Sequence, residues 1–212
     1  MKRGAGNIKA AISKSRLMLK KIRNRLNLKK IIANMNNGNT QKIKCFSCGG
    51  LVPDIDGPTH KYVLSAPGCW KLYGDIVAKE FMPENYDPDV HRISVDTYAV
   101  QHPGKPERRA IQSVNGHLIS LYAMLEKGLR GKEATAVLKK AVEDKKLKEQ
   151  FQWLEPPSFE STMTVADVVK AEDFEEHAKL VRKWGESVWA AWKAKHHDRI
   201  VYLAAMAMRG KS

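Results

Sequence analysis

Between Asp87 and His117 the residues leave the chain little choice but a helical hairpin. Asp87 is a good N-cap, and Pro88 suits the first helical position, where no amide hydrogen is needed. The helix predicted from there runs to about Gln101, where Pro103-Gly104 stops it. Pro106 opens a second helix in which Ile111, Val114, His117, Leu118, Leu121 and Leu125 share one face, and Gly128 ends it. So short a turn makes the two helices antiparallel neighbours. The same 31 residues carry three histidines, Asp96 within the first helix, and a tyrosine.

Helix rise sorts those side chains. His91 and His102 are eleven residues apart, about 16 Å along a continuous helix, and cannot hold one ion together. Folding the hairpin about residues 102–106 sets His117, eleven residues into the second helix, level with His91. These two form the expected ligand pair of a second metal site, with His197 as a third member if the last helix closes back over the hairpin. His102 falls at the mouth of a cleft or caps carbonyls with its ring. Asp96 points about 140° away from the His91 row, with Arg92 one turn back as its ordinary partner. Tyr98 is one turn before His102, within touching distance. Asp96, Tyr98 and His102 are the candidate acid–base groups.

Ahead of the hairpin lies a cysteine set. Cys45-x2-Cys48 places two thiolates about one turn apart, the spacing of a tetrahedral metal knuckle, and Gly49-Gly50 lets the backbone turn beneath the sulfurs. The nearest further donors are His60 and Cys69, which gives C-x2-C-x11-H-x8-C, a Cys3His zinc set of Cys45, Cys48, His60 and Cys69. Three cysteines suit a reducing compartment and metal ligation better than a disulfide framework. A redox role fits less well, because this CxxC runs into a Gly/Pro-rich loop instead of opening a helix.

The remaining elements are read from caps and breakers. Residues 45–69 are loop, with a short strand expected at 61–64. Helices are expected over about 69–81, 132–149 and 174–208, the last broken near His196-His197. Thr164–Asp167 and Asp173–Glu176 resemble capping boxes. Trp184, Trp189 and Trp192 read as core.

The net charge of +14 would suggest a nucleic-acid or membrane partner if it were spread over the chain. Instead, residues 1–34 hold eleven Lys or Arg and no acid, which leaves +3 for the other 178 residues. The organisation expected is a basic amphipathic or disordered extension over 1–34, a linker over 35–44, and one metal-organised domain over 45–210. The extension reads as weakly docked or disordered, as a surface for an anionic membrane or nucleic acid, or as a transit-like presequence. Met35 is a natural beginning for the linker and domain that follow. The apolar run Val201–Met208 is eight residues, far short of a span of roughly 20. A cytoplasmic location is expected, with peripheral membrane contact through 1–34 as the alternative. The fold class expected is mainly α: a helical bundle with a zinc-knuckle-like Cys/His loop region at its N-terminal side and the basic helical extension.

The motifs CxxCG, PDxDGPTHxY, SxPGCW, VHRxxVDxYAVQHPG, QSVxxHL, WLEPP, TVADV and WxxSVWxAWxxxHH occur in this order over about residues 44–205. In this the chain resembles an uncharacterised bacterial family, domain of unknown function 5946. The resemblance implies a bacterial protein. It also implies that Cys45, Cys48, His60, Cys69, His91, Asp96, His102, His117 and a histidine of the final pair are family positions. It implies no activity. Two functions stay open. One is a metal-dependent, hydrolase-like enzyme using Asp96, Tyr98 and His102 on an unknown small molecule. The other is a non-enzymatic module that binds or regulates an unknown small molecule or protein, with zinc purely structural.

Overall fold

Among the described residues seven helices form, most of them where breakers and caps predict them. In the computed structural model, which describes residues 41–209, two short strands precede them. These are β1 (Lys42–Lys44) and β2 (Leu51–Pro53), antiparallel with Ile43 opposite Val52. The helices are α1 (Pro67–Glu80), α2 (Pro88–Gln101), α3 (Arg108–Leu125), α4 (Gly131–Glu143), α5 (Lys145–Glu149), α6 (Val165–Val168) and α7 (Phe174–Met208). The mainly helical class is therefore as expected. The extension over 1–34 and the first six residues of the linker lie outside the described residues. Residues 42–44, read as linker, instead form β1. Among the described residues no helix is long and apolar enough to cross a membrane.

Local chemistry sets the helix limits. Asp87 accepts from the amides of Asp89 (2.7 Å) and Val90 (3.4 Å), and Pro88 begins α2. Thr164 and Asp167 form the reciprocal capping box of α6. Asp173 caps α7 by accepting from Glu176 N. The helix expected over 132–149 is split, because Asp144 is extended and caps α5 by accepting from Leu147 N. α7 kinks at His196, which leaves helical geometry at φ −136° and ψ 15°. Its Nε2 lies 2.8 Å from the carbonyl of Glu155, a partner across the fold that fixes the ring at the kink.

The core lies between the α2–α3 hairpin and α7. Trp184 and Trp192 are fully buried and Trp189 nearly so. Each indole N–H finds an acceptor: Gln101 Oε1, the Val100 carbonyl and Glu126 Oε1 respectively for Trp184, Trp192 and Trp189. Burying a tryptophan without such a partner would forfeit part of its apolar gain. The three indoles therefore act as apolar mass and as positional pins between α7 and the hairpin.

Two close approaches bring the N-terminal loops to this core. At Gly68 a Cβ would sit 2.0 Å from the Pro53 carbonyl oxygen, so only glycine lets β2 lie against the start of α1. Val63 makes an isolated bridge to Pro103, and Leu64 N donates to the His102 carbonyl. The strand expected at 61–64 is reduced to this single bridge.

Candidate metal centre

Cys45, Cys48, Cys69 and His102 converge, with one ligand atom from each inside a sphere where all lie within 4.8 Å of one another. All four residues are 0–2% exposed. The β1–β2 turn supplies the first two: Cys45 N donates to the Gly50 carbonyl, Gly49 N donates to the Cys45 carbonyl, and Gly49 takes φ 73°. That positive φ closes the turn and aims both sulfurs inward. Cys69 comes from the first turn of α1, and His102 follows the last residue of α2. Cys69 Sγ is 3.2 Å from His102 Nε2 and 3.9 Å from Cys48 Sγ. Ala66 N donates to Cys45 Sγ at 3.5 Å.

The surroundings fix the ligand atoms. His102 Nδ1 is 2.9 Å from the Tyr98 carbonyl, which can only accept. The ring proton therefore sits on Nδ1, and the Nε2 lone pair faces the sulfurs, the arrangement that orients histidine ligands. Tyr98 stacks on the imidazole at 4.0 Å and donates its hydroxyl towards Cys69 Sγ. Burial is the main reason the Tyr98 hydroxyl holds its proton more tightly than usual. Hydrogen bonds from Cys48 and Cys69 hold the Cys45 thiol well below its ordinary range. The thiolate so formed pushes Cys48 up to about 12, and hydrogen bonding to Cys45 and Cys48 pushes Cys69 higher still. Three sulfurs this close cannot all ionise against one another, and a cation at their centre removes the conflict. The donor set fits such an ion: three soft thiolates, one imidazole, and no carboxylate.

His60 does not belong to this group. It is exposed, accepts from Tyr62 N through Nδ1 at 3.2 Å, and packs its ring against Tyr62 and Trp70. His102 takes the place that sequence proximity assigned to His60, because the Val63–Pro103 bridge draws the end of α2 against the loop after the knuckle.

The second set expected, His91, His117 and His197, is not gathered. The hairpin register places Asp96 against His117 and Ser120. His91 is thus offset from His117 by five residues, about 7.5 Å of helix rise. His91 Nδ1 pairs with Glu80 Oε2 at 2.8 Å, His117 Nδ1 pairs with Asp96 Oδ1 at 2.7 Å, and half-buried His197 lies beside Asp198. Among the described residues, the three cysteines with His102 are the one group disposed to hold a metal. The acid–base trio also divides. Tyr98 and His102 serve the cysteine cluster, whereas Asp96 is fully buried and accepts from Arg92 Nε (3.0 Å), Arg92 Nη2 (2.5 Å) and Ser120 (2.5 Å) as well as from His117.

A further buried carboxylate went unread in the sequence. Glu80 accepts from Ser94, from His91 and from His177 Nε2 at 3.0 Å, tying α1, α2 and α7 together. Burial pushes its carboxyl up, but hydrogen bonds from His177, His91 and Ser94 outweigh burial and leave it below the usual carboxylate range. The signal was present: Glu80 follows Ile76 by one turn, and His177 precedes Val181 and Trp184 on a buried face.

Residues 43–193 match the model of the DUF5946 family of unknown function, and the chain belongs to that family. No curated protein and no solved structure matches it.

Proposed function

We propose that in this DUF5946 protein Cys45, Cys48, Cys69 and His102 hold one zinc ion whose role is structural. The observation that carries this reading is closure: four buried protein donors converge on one centre, the number that fills a tetrahedral structural site. The sulfur–sulfur and sulfur–nitrogen separations of 3.9 and 3.2 Å bracket the edge of a tetrahedron. With zinc–sulfur bonds of about 2.3 Å that edge is about 3.8 Å. Three thiolates with one imidazole favour zinc over harder ions.

When bound, zinc supplies a crosslink among the knuckle, the start of α1 and the end of α2. Residues 45–66 contain little regular structure and cannot bury enough apolar surface to order themselves. The ligands join them to the bundle across sequence separations of 21 and 33 residues. The Nδ1–H of His102, held by the Tyr98 carbonyl, keeps the imidazole in the ligating tautomer. The Ala66 amide stabilises negative charge on Cys45.

The test compares Cys48→Ala with His117→Asn. On this reading Cys48→Ala loses the ion and melts at a lower temperature by circular dichroism, no longer responding to chelator, whereas His117→Asn keeps the ion and a chelator-sensitive midpoint. A Cys48→Ala protein that stays folded with an unchanged thermal midpoint contradicts it.

A further inference from the structure

The carboxylate–histidine pairs on the hairpin play no part in the metal centre. Asp96 is wholly buried on α2 and fills its oxygens with Arg92, Ser120 and His117 Nδ1. Burying a charged carboxylate is costly, and here it is matched by a guanidinium. Ionised Asp96 can only accept, so the His117 ring proton sits on Nδ1 and the lone pair sits on Nε2. That Nε2 makes no hydrogen bond among the described residues, and the side chain is 20% exposed. A half-buried histidine held in one tautomer by a buried carboxylate is the arrangement of a positioned base.

A third group completes the set. Arg92 Nη2 lies 3.5 Å from His117 Nδ1, and the side chain is 13% exposed. Its Nε and Nη2 serve Asp96, while Nη1 makes no hydrogen bond among the described residues. Unused guanidinium donors such as those on Nη1 can meet negative charge that develops on a reacting oxygen. Glu80–His91 shows the same carboxylate-to-Nδ1 pairing, but no arginine accompanies it and Glu80 is shared with His177.

We propose that His117 is a nucleophile and base for carbonyl esters, with Asp96 as its positioning residue and Arg92 as the stabiliser of the oxyanion. His117 Nε2 adds to the ester carbonyl, the carbon–oxygen bond to the leaving group breaks, and the alcohol or phenol departs as its anion. The Nδ1 proton stays where it is, and Asp96 balances the positive acyl-imidazolium. Water then adds to the acyl carbon, the carbon–nitrogen bond to Nε2 breaks, and two protons pass to solvent, one balancing the carboxylate and one the departed leaving-group anion, which regenerates neutral His117. The inference is independent of the structural role of zinc, since His117→Asn is expected to leave the metal in place.

The probe is p-nitrophenyl acetate with the zinc-loaded full chain. Three results are expected. The protein-dependent release of nitrophenolate falls about 100-fold in His117→Asn, the lower end of what a positioned base contributes. His197→Gln leaves it unchanged, and acid-quenched protein carries its acetyl group on His117. Nitrogen-15 NMR of the wild type shows His117 as the Nδ1–H tautomer, and Asp96→Asn shifts the population towards Nε2–H. Should Asp96→Asn not fold, Ser120→Ala, which removes one donor to Asp96, takes its place in the tautomer measurement. No ester cleavage above buffer, label spread over the exposed histidines, equal rates in His117→Asn and wild type, or an Nε2–H tautomer in the wild type each overturn the proposal.

Discussion

Exchanging the two histidines that compete for the fourth ligand position gives opposite outcomes. His60→Ala removes an exposed ring whose contacts are an edge to Tyr62 and a tilted approach to Trp70, both at 5.5 Å. Such pairs contribute about 0.5–1.5 kcal/mol, so the variant is expected to lose about 1 kcal/mol and keep its metal. His102→Gln keeps much of the side-chain volume but removes Nε2 from a cluster whose other ligand atoms lie 3.2 to 4.8 Å away. It also loses the 4.0 Å stack on Tyr98. An ion at 1,000 times its dissociation constant stabilises the native state by about 4 kcal/mol. For a domain of this size each kcal/mol moves the thermal midpoint by about 2–4 °C. Chelation should therefore lower the wild-type and His60→Ala midpoints by about 8–16 °C. His102→Gln should start low and respond little to chelator. The assay is a differential scanning melt with and without chelator, paired with metal content per chain. If His60→Ala loses the metal, or His102→Gln retains one ion per chain with a chelator-sensitive midpoint, the ligand assignment is wrong.

Other outcomes follow from the same geometry. Gly68→Ala places a Cβ 2.0 Å from the Pro53 carbonyl oxygen, and relieving that overlap shifts Cys69 away from the knuckle. The expected cost is about 1–3 kcal/mol or more, read as a lower urea midpoint together with weaker zinc retention. Glu80 has its folded-state pKa lowered from 4.5, so its interactions stabilise the fold above that value and are lost as pH falls through the folded pKa. Wild-type stability should drop on acidification below pH 4.5, whereas Glu80→Gln, less stable at neutral pH, should show a flatter profile in that window by urea titration. Trp184→Phe removes the indole donor to Gln101 Oε1 and part of a fully buried side chain. A loss of about 1–3 kcal/mol is expected in the same titration.

Elements governed by local chemistry were legible. Asp87-Pro88, Pro103-Gly104, Thr164–Asp167 and Asp173–Glu176 each set a helix limit through contacts within four residues, and the sequence shows all of them. Asp144 caps by the same rule, but it stands inside a helical pattern and reads as one more charged surface residue. The knuckle cysteines and Cys69 were legible because thiol spacing carries its own geometry. His102 was not, because what brings it to the sulfurs is the packing of residues 63–64 on 102–103, a contact without a local signal. Spacing alone favours the nearer imidazole, His60. The hairpin was correctly read as a hairpin, yet its register depends on the path of the 102–107 turn. A shift of five residues was enough to part His91 from His117 and to set Asp96 against His117. Tyr98 and His102 do touch, as one-turn spacing requires.

The central claim is a single closed metal centre, and counting ions per chain tests it most directly. Protein purified without chelator or nickel resin and measured by native mass spectrometry should carry one zinc. That ion should be lost from Cys45→Ser, Cys48→Ser, Cys69→Ser and His102→Gln alike, and retained by His60→Ala, His91→Gln and His117→Asn. Two ions per chain, or a single ion that survives His102→Gln and departs with His91→Gln or His117→Asn, would contradict the account.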